Sequence, residues 1–332
     1  MAPCRWNSVW QLRPPLEPHR PRAGNSAWQL SARAPPAPVP VEFGLATTAR
    51  RALLKFPSHL FNPVLGPHNV HMNTMQPIYT SHNCEPAYQL NWGLTLFWRD
   101  APLSSEAWLG ELERATEPDG VRILKHRTTT RGASQFFVST KPYIAPSEII
   151  RATKGRLQHL IRAQSPKAFQ RNYCIRSIGS ATRTVVEDYV ASQLGHHLLL
   201  DVQLRNRLAG FQRCDSGVDL SLPVFSAHGE YFYNLQMVFV NEERWMETRD
   251  EVLECLSEAI DATAMKHGLR LSRVALLPEH IHLTVGCPID RAPESLALEF
   301  LNNFASVYGM KAVYQFGYYV GTIGEYDRGA VS

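Results

Sequence analysis

The sequence predicts an α+β protein built from two consecutive copies of one β-α-β-β-α-β unit, the split βαβ or ferredoxin-like plan. Three observations lead to this prediction. Apolar residues alternate in short segments, longer segments carry the helical period, and the order of these segments repeats once along the chain. The chain has 332 residues, enough for two such domains, and no apolar run of about 18 residues predicts a membrane span.

The first unit begins near Tyr88, where Leu90, Trp92 and Leu94 alternate as in a strand. Pro146 suits the first turn of a helix, because its missing N–H would have no intrahelical partner there. The other predicted elements are a helix over 104–116, strands near 121–127 and 134–140, a helix from 146 to about 163, a strand near 172–178 and a helix near 181–194.

The second unit repeats this order, and its ends align with those of the first. Residues 172–179 match 317–324 at a constant spacing of 145, and Asn91 matches Asn234 at a spacing of 143. This regularity predicts a tandem duplication. The predicted elements are a strand over 231–240, a helix over 247–267, strands near 270–277 and 280–286, a helix near 293–308 and a strand near 314–322.

Composition divides the chain into a leader (1–78), a first domain (79–197), a linker (198–228) and a second domain (229–332). Residues 1–71 hold twelve of the 23 prolines, and eight Arg or Lys against two Glu, which predicts a disordered basic leader. This composition resembles that of an organelle transit peptide; alternatively, the true start is Met72 or Met75.

The net charge of +4 conceals an asymmetry between the two domains. Residues 81–197 carry fifteen Arg or Lys and ten Asp or Glu, whereas residues 229–332 carry eight and fifteen. A basic half indicates a polyanionic partner, unless charge merely varies between solvated surfaces. The six cysteines form no Cys-x-x-Cys pair, which argues against a zinc ribbon and favours a reducing, cytoplasmic setting.

A histidine pair, His280 and His282, lies in a predicted strand of the second unit. Residues two apart on a strand point to the same face, so both imidazoles would project together while Ile281 enters the core. Two imidazoles held in this way can ligate one divalent metal. The alternative is that two half-exposed histidines have no chemical role.

Several segments in order resemble the HUH tyrosine transposases, specifically the insertion-sequence 200 group with its REP-associated relatives. The histidine segment LLPEHIHLTVGCP (276–288) resembles the His-hydrophobe-His motif, and FGYYVGTIG (316–324) resembles the strand before the catalytic helix. In the first unit the matching segments are KGRLQHLIR (154–162), FQRNYCIRSIG (169–179) and VVEDYVASQ (185–193).

The resemblance implies an enzyme that cleaves and rejoins single-stranded DNA, often with hairpin ends, through a tyrosine that becomes linked to a 5′ phosphate. Carried over by motif, Tyr189 is the nucleophile. His280, His282 and Gln193 are ligands of a divalent ion, Mg²⁺ or Mn²⁺. Lys154 and Arg156 are candidate contacts to DNA phosphates, or else lie on a solvated helix face. The family acts as dimers, so further homodimerisation of the chain is open.

Each unit lacks what the other retains. Alignment of ASQFFVS (133–139) with EHIHLTV (279–285) places Ser134 opposite His280 and Phe136 opposite His282, while the second unit ends before a counterpart of Tyr189. We therefore expect a pseudo-dimer with one hybrid active site, in which the first domain lends Tyr189 and Gln193 to the histidines of the second.

Two other interpretations remain at this point. The chain can be a decayed or domesticated derivative that binds DNA without cutting it. It can also be a two-histidine RNA phosphoesterase, because His282-Leu283-Thr284 fits a His-x-Thr motif. Such an enzyme needs a second motif of this kind, and His126-Arg127-Thr128 is the candidate for it.

Overall fold

The computed structural model describes residues 76–130, 132–196 and 201–324. Almost all of the predicted leader, and the chain after residue 324, lie outside these ranges. Within them the chain forms two six-stranded sheets and seven α-helices, so the α+β class is confirmed. No helix among the described residues is both long enough and apolar enough to cross a membrane.

The strands are β1 (Glu85–Gln89), β2 (Asn91–Trp98), β3 (Val121–Thr128), β4 (Ala133–Thr140), β5 (Phe169–Ile178), β6 (Gln212–Cys214), β7 (Val224–Ser226), β8 (Gly229–Phe232), β9 (Asn234–Val240), β10 (Arg270–Leu276), β11 (His280–Gly286) and β12 (Gly317–Ile323). The helices are α1 (Leu109–Thr116), α2 (Pro146–Ile161), α3 (Arg183–Ala191), α4 (Gln193–His196), α5 (Val202–Ala209), α6 (Asp250–His267) and α7 (Pro293–Val307).

The two sheets share one arrangement of their four long strands. The first sheet has the order β3-β4-β2-β5-β8-β7, and the second has β1-β12-β9-β11-β10-β6. Counted within each unit, the long strands lie in the order 2-3-1-4 in the first sheet and 4-1-3-2 in the second, which is one order read from opposite edges. In each sheet the third long strand of the unit, β4 or β11, therefore lies between the first and the second.

Each sheet buries one face against two helices. In the first sheet Trp92, Leu94 and Leu96 point into a core that also contains Leu112 of α1 and Leu157 of α2. In the second sheet the core residues come from β9, β11, α6 and α7, and the fully buried ones include Leu235, Met237, Phe239, Leu283, Ile260 and Phe300. The apolar alternation along the strands therefore marks the face that packs on the helices, while the residues of the other face, such as Thr95 and Thr284, are polar although they too are buried.

A short strand crosses from each unit to the sheet of the other. β1 precedes β2 in the chain but pairs in parallel with β12, with Tyr88 beside Val320. β8 precedes β9 but pairs in parallel with β5, with Tyr231 beside Ile175. The predicted single strand over 231–240 is therefore wrong, because the chain leaves one sheet at Tyr233 to enter the other.

Two hydroxyl groups join the units where β5 and β12 end. The Ser177 hydroxyl accepts from the Asn234 amide (3.2 Å) and donates to the Ile323 carbonyl (2.6 Å). The Thr322 hydroxyl accepts from the Asn91 amide (3.0 Å) and donates to the Ile178 carbonyl (2.7 Å). Each unit thus contributes one hydroxyl that bonds a backbone amide and a backbone carbonyl of the other unit.

Two glycines make this close approach feasible. A Cβ on Gly179 would lie 2.8 Å from the Thr322 carbonyl oxygen, and a Cβ on Gly324 would overlap the Ser177 carbonyl oxygen. Any side chain at either position would push the two units apart.

The described part of the predicted linker is structured. It contains α5 and two short strands, of which β6 pairs with β10 in the second sheet and β7 pairs with β8 in the first. The segment therefore extends both sheets.

Candidate active site

The two histidines project from the face of β11 that points away from the second core. Ile281 and Leu283 enter the core, as the alternation predicts. The His280 and His282 rings lie 4.8 Å apart between centroids and are nearly perpendicular, at 77°. The side chain of His282 is buried and that of His280 is half-buried.

A carboxylate lies beside the first histidine. Glu279 Oε1 is 3.5 Å from His280 Nδ1. A regular strand would direct residues 279 and 280 to opposite faces, but β11 begins only at His280, so that constraint does not apply to Glu279. A carboxylate in this place favours the tautomer that carries its proton on Nδ1. Sequence reasoning missed this contact.

Tyr189 from the first unit meets His282 from the second. The two rings lie 5.8 Å apart between centroids and meet edge to face at 85°. Tyr189 lies on α3, which leaves the first sheet after β5 and packs across β10 and β11 of the second. Val186 and Val190 are buried by this packing, whereas the Tyr189 side chain is 45% exposed and therefore accessible to a large substrate.

The start of α3 is fixed to the second unit. Its N-cap, Thr182, pairs with Gly324 beyond the end of β12, and the Arg183 amide donates to the Gly324 carbonyl at 2.6 Å. The Thr182 hydroxyl accepts from the Val185 amide and satisfies one orphan donor of the first turn.

A buried carboxylate, Glu187, joins α3 to the second sheet. Its Oε2 lies 2.5 Å from Arg183 Nη1, and its Oε1 accepts a hydrogen bond from the Ser272 hydroxyl of β10. Glu187 is only 3% exposed, so both contacts are shielded from water. Glu187 precedes Tyr189 by two residues, so this contact helps to set the position of the tyrosine. Nothing in the local sequence indicated it.

Gln193 lies next to the tyrosine but in a different helix from the one expected. The predicted helix over 181–194 ends at Ala191, and Gln193 begins the short α4. The four-residue relation persists, because Gln193 Nε2 donates to the Tyr189 carbonyl at 3.1 Å. The side chain of Gln193 is buried.

The donors at this site suit a divalent ion by type. Two imidazoles and an amide oxygen form the set that the family resemblance implies. Imidazole nitrogens suit Zn²⁺, Fe²⁺ or Ni²⁺ and amide oxygens suit Mn²⁺ or Mg²⁺, so this mixed set fits a divalent ion without selecting one. Among the described residues no group of three His, Cys, Asp or Glu could hold a metal ion. The role of Gln193 as a third ligand beside the histidine pair stays a prediction.

Both expected DNA contacts, Lys154 and Arg156, make contacts within the protein. Lys154 Nζ donates to the Gln170 and Arg171 carbonyls at 2.6 and 3.0 Å, and partial burial lowers its pKa. Arg156 forms a two-point ion pair with Asp119 at 2.6 and 2.7 Å. Their contact with DNA stays a prediction.

The counterparts of the histidines in the first unit differ by one residue from those predicted. His282 pairs with Val238 of β9, and the equivalent pairing in the first sheet joins Gln135 to Thr95 of β2. Gln135 therefore occupies the position of His282, and by the same pairing Ala133 occupies that of His280. A one-residue slip reverses the face of every side chain, and the alignment with Ser134 and Phe136 is wrong in this way.

Ser134 and Phe136 point into the first core, where they meet His126. The His126 ring lies 4.8 Å from the rings of both Trp108 and Phe136, and its Nε2 is 3.1 Å from the Ser134 hydroxyl. Desolvation in this cluster lowers the pKa of His126 to about 4. His126 thus belongs to the first core, and the structure does not bring it to His282 as a two-histidine phosphoesterase requires.

Comparison with known proteins gives one match to a family. Residues 119–193 match the family model described as "Transposase IS200 like", a span that includes Tyr189 and ends at Gln193. No curated protein matches the chain.

Three solved structures share limited similarity with the chain. A REP-associated tyrosine transposase bound to a REP hairpin is 20% identical, with a TM-score of 0.25; the match covers 27% of this chain and 55% of that one, so this chain spans about half its length. A putative glycine cleavage system transcriptional repressor is 11% identical, with a TM-score of 0.20 and coverage of 71% and 98%. An unknown protein from Galdieria sulphuraria is 10% identical, with a TM-score of 0.18 and coverage of 71% and 97%. The family match confirms the resemblance that the motifs of the first unit predicted: over residues 119–193 the chain is similar to the IS200-like transposases.

Proposed function

We propose that this chain is a transposase-like nuclease and strand transferase that acts on single-stranded DNA at one hybrid active site. The contact that supports this proposal most directly is that of Tyr189 with His282, at 5.8 Å between ring centroids. These residues come from different units and lie 93 positions apart in the sequence, yet they are the two that the family chemistry requires to meet.

The hybrid site belongs to a pseudo-dimer that arose by tandem duplication. Three features support this part of the proposal: the shared order of the four long strands, the exchange of β1 and β8, and the reciprocal contacts of Ser177 and Thr322. Ser177 and Thr322 are 145 residues apart, which is the spacing at which the two units align.

Cleavage begins with attack of the Tyr189 phenol oxygen on a backbone phosphorus. The new O–P bond forms as the bond to the 3′ oxygen breaks, the phenol gives up its proton, and the departing 3′ oxygen becomes a hydroxyl. A free phenol has a pKa of about 10, so attack near neutral pH requires help with this proton or with the charge on the phosphate.

His280, His282 and Gln193 would hold the divalent ion, with Glu279 orienting His280. When bound, that ion stabilises charge on the phosphate oxygens. Tyr189, on α3, would lie beside these ligands, next to His282.

The direct test is a covalent adduct. The full chain is mixed with single-stranded DNA labelled at its 3′ end and with Mn²⁺, and a denaturing gel reveals label that migrates with the protein. The 3′ label is required because tyrosine keeps the fragment downstream of the cut. Tyr189→Phe abolishes the adduct, whereas Tyr143→Phe, which alters another exposed tyrosine of the first unit, leaves it intact.

A decayed DNA-binding derivative is the second candidate, because the first unit has already replaced both histidines by Ala133 and Gln135. If no adduct forms on single-stranded DNA with or without hairpin ends, yet the DNA is bound, this second function is the correct one.

A further inference from the structure

A row of side chains runs from the candidate active site across the outer face of the second sheet, the face that points away from the core. Val238 of β9 pairs with His282 on one side and with Tyr319 of β12 on the other, and Ala87 of β1 pairs with Tyr319. Directly paired residues of neighbouring strands point to the same face, so Tyr319 lies on the face that carries the histidines. Neighbouring strands are about 4.8 Å apart, which places Tyr319 about 10 Å from His282 along the row.

The Tyr319 side chain lies along its own strand, with the hydroxyl end of the ring over Gly321. A Cβ added to Gly321 would lie 2.9 Å from Tyr319 Cζ and 3.2 Å from Cε1, and it would overlap the hydroxyl oxygen. A side chain at position 321 would therefore displace the ring from the sheet. Tyr319 is half-buried, so part of the ring remains accessible to solvent.

The outer face is more open around Tyr319 than under the tyrosine helix. α3 packs on β10 and β11, where His282 is buried. On the strands that flank Tyr319, by contrast, Val238 is half-buried and Ala87 is exposed. A strand of DNA held at Tyr189 can therefore continue over this part of the sheet.

The first unit has no such ring at the equivalent position. At the spacing of 145 that aligns the two units, Tyr319 corresponds to Cys174. Gly321 corresponds to Arg176. Cys174 pairs with Thr95, and both of these residues are buried. The ring and the glycine beneath it thus occur in the unit that has the histidines, which argues for a role at that site rather than in the fold that the units share.

A partly exposed aromatic ring beside a strand-cleavage site suits a nucleobase. Every base has a π-face that stacks on an aromatic side chain, and proteins that bind single strands use such rings with little dependence on sequence. We propose that Tyr319 is a stacking platform for one base of the single strand, close to the phosphate that Tyr189 attacks. The choice of single-stranded DNA rests on the proposed function. Gly321 serves the stacking platform by letting the ring lie against the sheet.

The test compares two fluorescently labelled strands of equal length: oligo(dT), and the same sugar–phosphate backbone without bases. Binding of the full chain is measured in EDTA. Tyr319→Ala weakens binding of oligo(dT) about tenfold and leaves binding of the abasic strand unchanged, because only the base contact is lost. Tyr319→Phe keeps the ring and binds both strands as the parent chain does.

The matched control is Tyr88→Ala, which removes another partly exposed tyrosine of the same sheet. Tyr88 pairs with Val320, which is fully buried in the core, so the Tyr88 side chain lies on the opposite face. We expect this variant to bind both strands as the parent chain does. Loss of oligo(dT) binding equal to that of Tyr319→Ala would contradict the stacking platform.

Gly321→Ala provides a second test if Tyr319→Ala prevents folding. It keeps the ring but displaces it, and we expect the same selective loss for oligo(dT). Equal weakening on the two strands, or unchanged binding of oligo(dT), overturns the proposal. Adduct formation in Mn²⁺ is scored separately. Absence of an adduct with binding that still depends on Tyr319 and on bases refutes the proposed enzyme alone, and the converse refutes the stacking platform alone.

Discussion

The same position on the third long strand has different chemistry in the two units. In the second sheet it is His282, beside the Tyr189 ring, and in the first it is Gln135, bound to Arg127. The neighbours that face the core are buried in both units, where Ile281 and Leu283 match Ser134 and Phe136. The comparison shows that one face of a strand maintains the fold while the chemistry of the other face can change.

The largest effect is expected from making the second site resemble the first. His282→Gln places the first unit's residue in the histidine pair, and we expect the adduct to form about 100-fold more slowly or not at all. Adduct formation in Mn²⁺ measures this rate. The control is His159→Gln, an exposed histidine on α2. An H282Q variant as active as the parent chain would show that the difference between the two sites has no catalytic meaning.

Removal of Glu187 tests the link that positions the tyrosine helix on the second sheet. Glu187→Ala leaves Arg183 and Ser272 without their shared carboxylate, so we expect the free energy of unfolding to fall by about 3 kcal/mol. We also expect adduct formation to slow about tenfold, because Tyr189 is no longer held as firmly against His282. Denaturant unfolding and the adduct assay measure the two effects. Asp188→Ala, on the exposed side of the same helix, should change neither; equal effects at both positions would contradict the role of Glu187.

The two joining hydroxyls allow the symmetry of the units to be tested. Ser177→Ala and Thr322→Val each remove a hydroxyl that serves one backbone amide and one carbonyl at the junction of the units, and we expect each to cost about 2 kcal/mol. Denaturant unfolding of the two variants provides the comparison. Removal of an exposed hydroxyl, as in Ser295→Ala on α7, should cost little. A large cost at one hydroxyl and none at the other would contradict the reciprocal arrangement.

The smallest expected effect is on the pH dependence of stability, and it comes from His126 in the first core. His126 has a folded-state pKa of about 4 against an ordinary value of 6.5. Between these values the unfolded chain binds a proton that the folded chain does not, so stability is complete above about pH 6.5 and falls as the pH drops toward 4. His126→Phe removes this pH dependence.

We expect the pH-dependent fall in the free energy of unfolding to shrink by about 1 kcal/mol, because partial exposure weakens the effect. Unfolding measured at about pH 7 and about pH 5 gives the difference. His159→Phe, at an exposed position, is the control. An unchanged pH dependence in the His126 variant would mean that the cluster does not hold the ring neutral.

Much of the local structure was accessible from the sequence. Alternation identified β3, β4, β10 and β11 to within a residue or two, and Pro146 marked the start of α2. The motif around Tyr189 and the histidine pair placed the candidate site, and the structure brings Tyr189 and His282 together as expected.

What failed depended on contacts between distant residues. The break at Tyr233 reflects a change of sheet, for which the local apolar pattern has no signal. The predicted counterparts of the histidines, Ser134 and Phe136, are wrong because residue type alone does not show which face of β4 they occupy. Only the pairing of β4 with β2 fixes that face. The bond from Ser272 to Glu187 spans 85 positions, so no motif could reveal it.

The crossing of β1 and β8 makes each half a structural donor to the other. Neither half closes its own sheet, since β5 would lose β8 and β12 would lose β1 if the chain were divided after the first unit. Each fragment would then expose a bare strand edge, the surface through which proteins aggregate or swap segments. The two halves should therefore melt in one cooperative transition, and neither should be a self-contained folding unit.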